Sequence, residues 1–284
     1  MIFTYTVTET QSLKTFLYTQ YFSKKTISAI KRDGALLVNH IPKTVRHILQ
    51  VGDKVEVRLP IEHPSPHLIP YDVPLDILYE DEGLLVVAKP QHQNSAPSRE
   101  HPHKSLVEQA LAHMTRQQEK GIPHIVTRLD RDTMGIVVIA KSRHLHHIMS
   151  LTPIKKVYEC ICLGQVRKPG IIDEPIARAA DSIITRVVAP NGKYAKTLYD
   201  PIKVTSQYTW CRVQLLTGRT HQIRVHFQHM GHSIVGDALY GGAHKEVTAQ
   251  LLKCSEICFN HPLTDKRIHI VSHTPNFDTL LATL

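Results

Sequence analysis

Residues 124–142, HIVTRLDRDTMGIVVIAKS, carry four charged side chains, Arg128, Asp130, Arg131 and Asp132, straight into an unbroken apolar segment. Residues 136–140 are β-branched apart from one alanine, which predicts a buried strand; the run is too short for a core helix and far short of the roughly 20 residues that cross a membrane. The carboxylates therefore sit at the mouth of a core element, where the backbone is held firmly enough to aim a catalytic group. Taken alone, a structural salt-bridge cluster in a loop explains the same residues. Further strands are expected at residues 77–79, 84–88, 157–163, 198–204, 210–216 and 267–271 on β-branched and aromatic content. Residues 104–118 place Leu106, Ala110, Leu111 and Met114 on one stripe and predict a helix, and residues 220–230, stopped by Gly231, predict another. No regular strand–helix–strand period and no glycine-rich phosphate loop are present, so the expected class is α+β with a mixed, largely antiparallel sheet and flanking helices.

A second polar stretch, LLTGRTHQIRVH at residues 215–226, ends a strand at Thr217-Gly218 and opens a helix near Thr220. Arg219, His221, Gln222 and Arg224 stand at that opening. A helix N-terminus beside a guanidinium makes a place for an anion, either a phosphate or a partner carboxylate.

The chain has 284 residues, 42% hydrophobic and 21% charged, which fits about two ordinary globular domains and excludes collagen-like, coiled-coil and disordered classes. Lys and Arg number 34 against 25 Asp and Glu, and the balance of +9 is the sign expected of a protein that meets a polyanion, with a basic solubilising surface as the plain alternative. Five Cys without zinc-finger spacing read as reduced intracellular thiols. No basic stretch leads into an apolar one at the N-terminus, so a cytoplasmic protein without membrane association is expected.

Prolines at 60, 64, 66, 70 and 74 remove backbone donors and fix φ, which suits an extended connector over residues 61–74 and divides the chain into domains 1–60 and 75–284. Residues 1–60 hold nine Lys and Arg against four Asp and Glu, and this balance of +5 is more than half of the chain's +9. Ser12 and Ser23 can cap two short helices, with Gly34 ending the second, and Lys24, Lys25, Lys31 and Arg32 share one solvated region of that helix. With the strand ALLVNH and the closing VGDKVEVR, residues 12–58 resemble the αL-type RNA-binding module first seen in a ribosomal small-subunit protein. The plain alternative is a small α/β unit with a solvated charged helix.

RLDRDTMG, then Lys156-Val157-Tyr158, then TGRTHQIRVH, then GDALYG at 236–241, in that order, resemble the RluA-type pseudouridine synthases over roughly residues 75–275. Lys89-Pro90 after LLVVA, GKYAKTLY at 192–199 and FNHPLT at 259–264 agree with the same family, in which an αL-type module often precedes the catalytic domain. The resemblance implies that Asp130 is the essential carboxylate, that Tyr158 lies over the uracil ring where its hydroxyl can assist proton removal, and that Arg219 pairs with the aspartate. Such a guanidinium would hold the carboxylate ionised and aimed. Arg128 and Arg131 are candidates for flanking phosphates, with exposed salt bridging as the equal alternative, and Gln222 is a candidate support. The implied activity is isomerisation of uridine in structured RNA, ribosomal in preference to transfer RNA, by a monomer that needs no cofactor and no metal.

The sequence departs from the family at Thr127, where His is usual, at Met134, at His92, where Gly is usual, and at Leu252-Lys253-Cys254, where Leu-His-Ala is common; these bear on target choice more than on catalysis. Three rival classes are weighed. A silent RNA binder would not need Asp130, Tyr158 and Arg219 together. A nucleoside or RNA glycosidase would use paired carboxylates, and a strand-like approach would put Asp132 on the same side as Asp130. A metal site from His221, His226, His229 and His232 would lack an acidic or Cys partner.

Overall fold

A computed structural model, describing residues 1–284, builds two separate hydrophobic cores from consecutive stretches of chain. The first contains β1 (Ile2–Thr6), α1 (Leu13–Thr19), α2 (Lys24–Asp33), β2 (Ala35–Val38) and β3 (Lys54–Arg58). Ser12 and Ser23 cap the two helices through their hydroxyls, as expected, each accepting from the amide three residues on. Gly34 ends α2 in extended rather than left-handed backbone; a Cβ there would run into the Arg58 carbonyl, so close approach, not a positive φ, requires the glycine. β3 pairs with both β1 and β2, and Phe3, Phe16, Phe22, Ile27 and Val57 fill the space beneath. Lys24, Lys25, Lys31 and Arg32 remain exposed on the outer side of α2.

Residues 59–76 form neither helix nor strand, in keeping with their prolines. They are nevertheless strapped down. The Glu62 carboxylate accepts from Arg143 N at 2.8 Å and meets His124 Nε2 at 2.8 Å, and Tyr71 N donates to Glu108 O at 3.0 Å. The first unit also docks directly, because the buried His144 ring stacks on Phe22 at 4.0 Å between centroids and takes the edge of Phe3 at 5.1 Å.

The second core carries β4 (Ile77–Glu80), β5 (Leu84–Lys89), α3 (Leu106–Arg116), β6 (Met134–Ala140), α4 (Arg143–Leu151), β7 (Lys155–Leu163) and β8 (Gly170–Asp173). It continues through the hairpin β9 (Ile176–Arg178) and β10 (Arg186–Val188) to β11 (Lys196–Val204), β12 (Tyr208–Leu215), α5 (Gln222–His229), β13 (Leu252–Asn260), β14 (Arg267–Val271) and α6 (Phe277–Thr283). The main sheet runs β8-β11-β12-β7-β13-β6-β5-β4, with β14 on the outer part of β13. Every pairing along it is antiparallel except β6 with β13, which is parallel and only two pairs long, Met134 with Lys253 and Gly135 with Cys254. The α+β class with a largely antiparallel sheet is therefore the observed one.

That short parallel seam joins the two halves of the sheet beside the loop that carries Asp130. Gly135 has φ +109, and a Cβ would collide with the backbone of Cys254. Gly135→Ala should cost about 2–3 kcal/mol, from conformational strain and displaced backbone together. Gly52, at φ +91 with open space around it, should cost only about 1 kcal/mol on the same change. Urea unfolding of both variants checks the contrast; equal losses would mean that close approach is not what requires Gly135.

Candidate active site

The loop carrying Asp130 is fixed on both sides of that residue. The Ser95 hydroxyl donates to Leu129 O at 2.9 Å and accepts from Leu129 N at 3.1 Å, so one side chain satisfies both backbone groups of the preceding residue. The buried Lys89 amine donates to Pro90 O, Gln93 O and Arg131 O at 2.7, 2.8 and 2.9 Å, and the last of these holds the following residue. Burial pulls its pKa down to about 7, against the attraction of Asp132 and Asp130. Thr133 N closes the turn onto Asp130 O at 3.1 Å, and the Thr127 hydroxyl accepts from Val138 N at 2.9 Å to tie the loop's start to β6.

The facing wall is the turn into α5. The Gln222 side chain accepts from Arg219 N and from the Thr217 hydroxyl, both at 2.9 Å, and donates to Lys196 O and the Thr197 hydroxyl, both at 3.0 Å. With its amide so engaged, Gln222 ties the turn into α5 to the strand at Lys196 and Thr197. It sets the direction of the helix, and with it that of Arg224. Arg224 grips Asp237 in a bidentate pair, Nε to Oδ2 at 2.6 Å and Nη2 to Oδ1 at 2.8 Å, and extends Nη1 to Asp130 Oδ2 at 3.3 Å. Burial works against the charge of Arg224, but the two carboxylates outweigh it and raise its pKa. His221, in left-handed backbone, places Nε2 3.7 Å from the same Asp130 oxygen and Nδ1 2.8 Å from the Tyr240 hydroxyl. Burial pulls His221 below its ordinary pKa despite Asp130, and Arg224 adds to the effect.

The partner of Asp130 is thus Arg224, not Arg219 as expected. Arg219 lies before the helix and its side chain turns away, donating from Nε to Tyr194 O at 2.9 Å; Arg224, in the first turn of α5, points back at the carboxylate. Arg219 still lines the pocket, at its exposed edge. Asp132 does not share a side with Asp130, because the chain between them turns rather than extends: its Oδ1 meets His92 Nδ1 at 3.1 Å and Arg131 Nη1 at 3.0 Å. His92 itself has φ +59, the conformation that suits the glycine usual there. Arg128 lines the pocket rim exposed, while Arg131 is held by Asp132. Lys24, Lys25, Lys31 and Arg32 lie on α2 of the first unit and do not line this pocket. The helix histidines are not gathered to one point: His226 is spent on Thr197 and the Glu174 carbonyl, and His232 on the Leu163 carbonyl.

Between these walls lies a pocket of about 440 Å³ lined by Asp130, Tyr158, Arg224, Lys156 and Leu252 among others. The volume and the mixture of apolar and convergent polar groups suit a small ring with polar edges. Both side-chain contacts on Asp130 fall on Oδ2, which leaves Oδ1 without an ion-pair partner. Tyr158, on β7, is 6% exposed, and burial first, then Cys254 and Asp130, raise its pKa well above the ordinary value. Its side chain lines the pocket wall opposite Asp130. Asp237 and Tyr240 were not singled out from the sequence, although GDALYG contained them, and Arg224 was placed at the helix opening without the pairing role.

The family model described as RNA pseudouridylate synthase matches residues 83–229. A Bacillus subtilis protein named uncharacterized RNA pseudouridine synthase YjbO is 40% identical over 259 residues, spanning 89% of this chain and 91% of its own. Ribosomal large subunit pseudouridine synthase D of Vibrio vulnificus is 34% identical, over 72% of this chain and 69% of its own. Among solved structures, human RNA pseudouridylate synthase domain containing 1 has the same fold, at a TM-score of 0.61 and 20% identity over 77% of this chain and 89% of its own. The chain belongs to the RNA pseudouridylate synthase family, in its RluA-type branch. It is an isomerase that makes pseudouridine in RNA.

Reassigning the partner of Asp130 has a kinetic consequence. Arg224→Lys keeps the charge but loses the fork that meets two carboxylates, and should lower the single-turnover rate at saturating RNA by about 100-fold. Arg219→Lys should change that rate by less than about tenfold, because it leaves Asp130 in place. Rapid-quench measurement of both variants decides the matter; the larger loss at Arg219 would return the pairing role to it.

Proposed function

We propose that this chain converts uridine in structured ribosomal RNA to pseudouridine, with Asp130 as the essential carboxylate acting on a base flipped into the pocket. The observation that carries this reading is the Asp130 carboxylate, pinned through Oδ2 by Arg224 and facing a pocket walled by Tyr158. The reaction breaks the bond from the sugar C1′ to N1 of uracil and forms one from C1′ to C5. The C5 proton leaves and N1 gains one, so atoms balance without an outside nucleophile, a redox partner or a metal. A uracil in a stem or stacked loop must leave its stack first, and the Tyr158 ring offers replacement stacking of roughly 1–3 kcal/mol. Arg128 and Arg219, exposed at the rim, suit the flanking phosphates, with Arg131 beside them.

Ribosomal RNA is favoured over transfer RNA because the Vibrio vulnificus relative is named for the large ribosomal subunit. Residues 1–60 act in this reading as an αL-type module whose Lys24, Lys25, Lys31 and Arg32 meet RNA backbone, residues 61–74 link it, and residues 75–284 form the catalytic domain. No helix is long and apolar enough to cross a membrane. We place the enzyme in the cytoplasm, as a monomer. A catalytically silent binder would have no use for a clamped carboxylate opposite a buried tyrosine.

Asp130→Asn keeps size and removes charge; it should abolish tritium release from RNA labelled at uracil C5 while leaving the melting curve in place. Release at the wild-type rate would sink the assignment. Mapping pseudouridines across total RNA with and without the protein identifies the target; loss of a site in transfer RNA alone would overturn the ribosomal reading. Replacing Lys24, Lys25, Lys31 and Arg32 together by Gln should flatten the salt dependence of RNA binding, with log K against log salt shallower by about 1–3. An unchanged slope would remove these side chains from the interface.

A further inference from the structure

His221 occupies the N-cap position of α5 without acting as a cap. Its side chain makes no capping hydrogen bond, and its backbone is left-handed at φ +57, a conformation uncommon for a residue with a side chain. A serine or asparagine would serve the helix better, and strain of this kind in a pocket wall points to a use for the ring. The ring lies between two polar groups. Its Nδ1 is 2.8 Å from the Tyr240 hydroxyl and its Nε2 is 3.7 Å from Asp130 Oδ2.

Tyr240 decides which nitrogen of that ring carries the proton. Its side chain is buried with Ile176, Ala195 and Val225, and its hydroxyl oxygen accepts from Arg186 N at 2.9 Å. Burial raises its pKa, so the phenol keeps its proton, and His221 Nδ1 is the acceptor within reach of it. An imidazole that accepts at Nδ1 carries its own proton on Nε2, and that proton faces the carboxylate. The opposite tautomer would set a lone pair against Asp130 and leave the phenol proton without this acceptor. The groups facing the ring are Asp130 from the loop before β6, Arg224 of α5, Asp237 and Tyr240 beyond α5, and Arg186 of β10. Burial, with Arg224 and Arg186, resists a second proton and outweighs the pull of Asp130 and Asp237, so the ring is neutral near pH 7.

We propose that His221 is a positioning residue for the isomerisation: as a neutral Nε2–H donor backed by Tyr240, it joins Arg224 in holding Oδ2 and so sets the orientation of the Asp130 carboxylate when RNA fills the pocket. The proposal rests on the reading of Asp130 as the essential carboxylate. At 3.7 Å the contact is not yet a hydrogen bond, and a movement of about 0.8 Å makes it one. A carboxylate held at one oxygen by one guanidinium nitrogen can still turn about that contact; a second donor on the same oxygen removes the freedom. A second proton on His221 would set a further cation on the carboxylate and press Nδ1–H against the Tyr240 hydroxyl. The working form is therefore the neutral one, and activity falls as pH drops through the titration of this ring.

The test uses the full chain and single-turnover tritium release at saturating RNA labelled at uracil C5. His221→Ala should lose about 30-fold, with the dissociation constant for RNA within about twofold of wild type. His221→Gln offers an amide donor near the Nε2 position and should recover to within about fivefold of wild type. The wild-type rate should show an acid limb below about pH 6.5, and that limb should be absent from His221→Gln, which has nothing to titrate there. Tyr240→Phe keeps the buried ring; it should cost about tenfold alone and less than about twofold in the His221→Gln background, where no tautomer is left to enforce. Equal losses for His221→Ala and His221→Gln, or an acid limb that survives in His221→Gln, would mean a merely structural histidine and overturn the proposal. Nitrogen-15 NMR of the free protein reads the same arrangement without turnover. The His221 signals, assigned by their loss in His221→Gln, should show protonation on Nε2 in wild type and a mixture of tautomers in Tyr240→Phe. Protonation on Nδ1 in wild type would overturn the donor role. The Nε2–H tautomer in a wild-type protein that releases no tritium would sustain the donor and reject the isomerisation reading.

Discussion

Arg224 is where the fold and the chemistry meet. Asp237 is 1% exposed, and a carboxylate so buried is tolerated only when its charge and both oxygens are matched, which the bidentate fork of Arg224 does. The remaining nitrogen reaches Asp130, so the group that neutralises a buried anion also holds the carboxylate that lines the pocket. The two residues at either end of the 3.3 Å contact are set independently. Ser95 and Lys89 place the Asp130 loop from one half of the sheet, while Gln222 places α5 from the other. A carboxylate held through one oxygen by such an arrangement meets its substrate with little reorganisation left to do.

The two halves come together at a seam of two residue pairs between β6 and β13. A parallel junction so short has few ladder hydrogen bonds, and its closeness depends on Gly135 admitting the Cys254 backbone. Tyr158 pairs with Cys254 across β7 and β13, at a register shift after Val157. The same β13 residue thus touches the strand that follows Asp130 and the tyrosine opposite it. Lys253, at the position where His is common in the family, is buried with its amine on Pro275 O at 2.9 Å and 4.9 Å from the Phe277 ring, so this departure attaches α6 and leaves the pocket alone.

How much of this was legible in the chain follows from what each signal encodes. β6 and β5 announced themselves because strands buried on both faces are apolar throughout, and the serine caps because a hydroxyl before a helix has one local job. β13 was not seen: LKCSEICFN places Lys253 and Ser255 among buried positions, where tertiary contacts satisfy them and no alternation survives. α4 was hidden in RHLHHIMSL, since a histidine on its buried side, His144, stacks against aromatic rings supplied by residues 3 and 22. In the site, the motif order located Asp130 and Tyr158, but the choice between Arg219 and Arg224 depends on where α5 starts. Helix starts are the least certain feature of a sequence reading, and here a left-handed His221 moves the first helical residue to Gln222.

The first unit sits at a fixed place on the second. It docks on His144 just beyond the Ala140 end of β6, whereas Asp130 lies before the Met134 end. Seven residues of strand at about 3.3 Å each separate the two ends by roughly 20 Å. With the connector strapped down by Glu62 and Glu108, the basic face of α2 is held at that remove rather than swinging on a tether. An RNA engaged at both places must itself bridge the gap while presenting a uridine at one end of it. A folded RNA does so at little further entropic cost, whereas a short flexible strand would have to be ordered along its length first. Under the proposed reading, in which the basic face of α2 meets RNA, the fixed spacing selects for structure in the RNA, independently of any base the pocket reads.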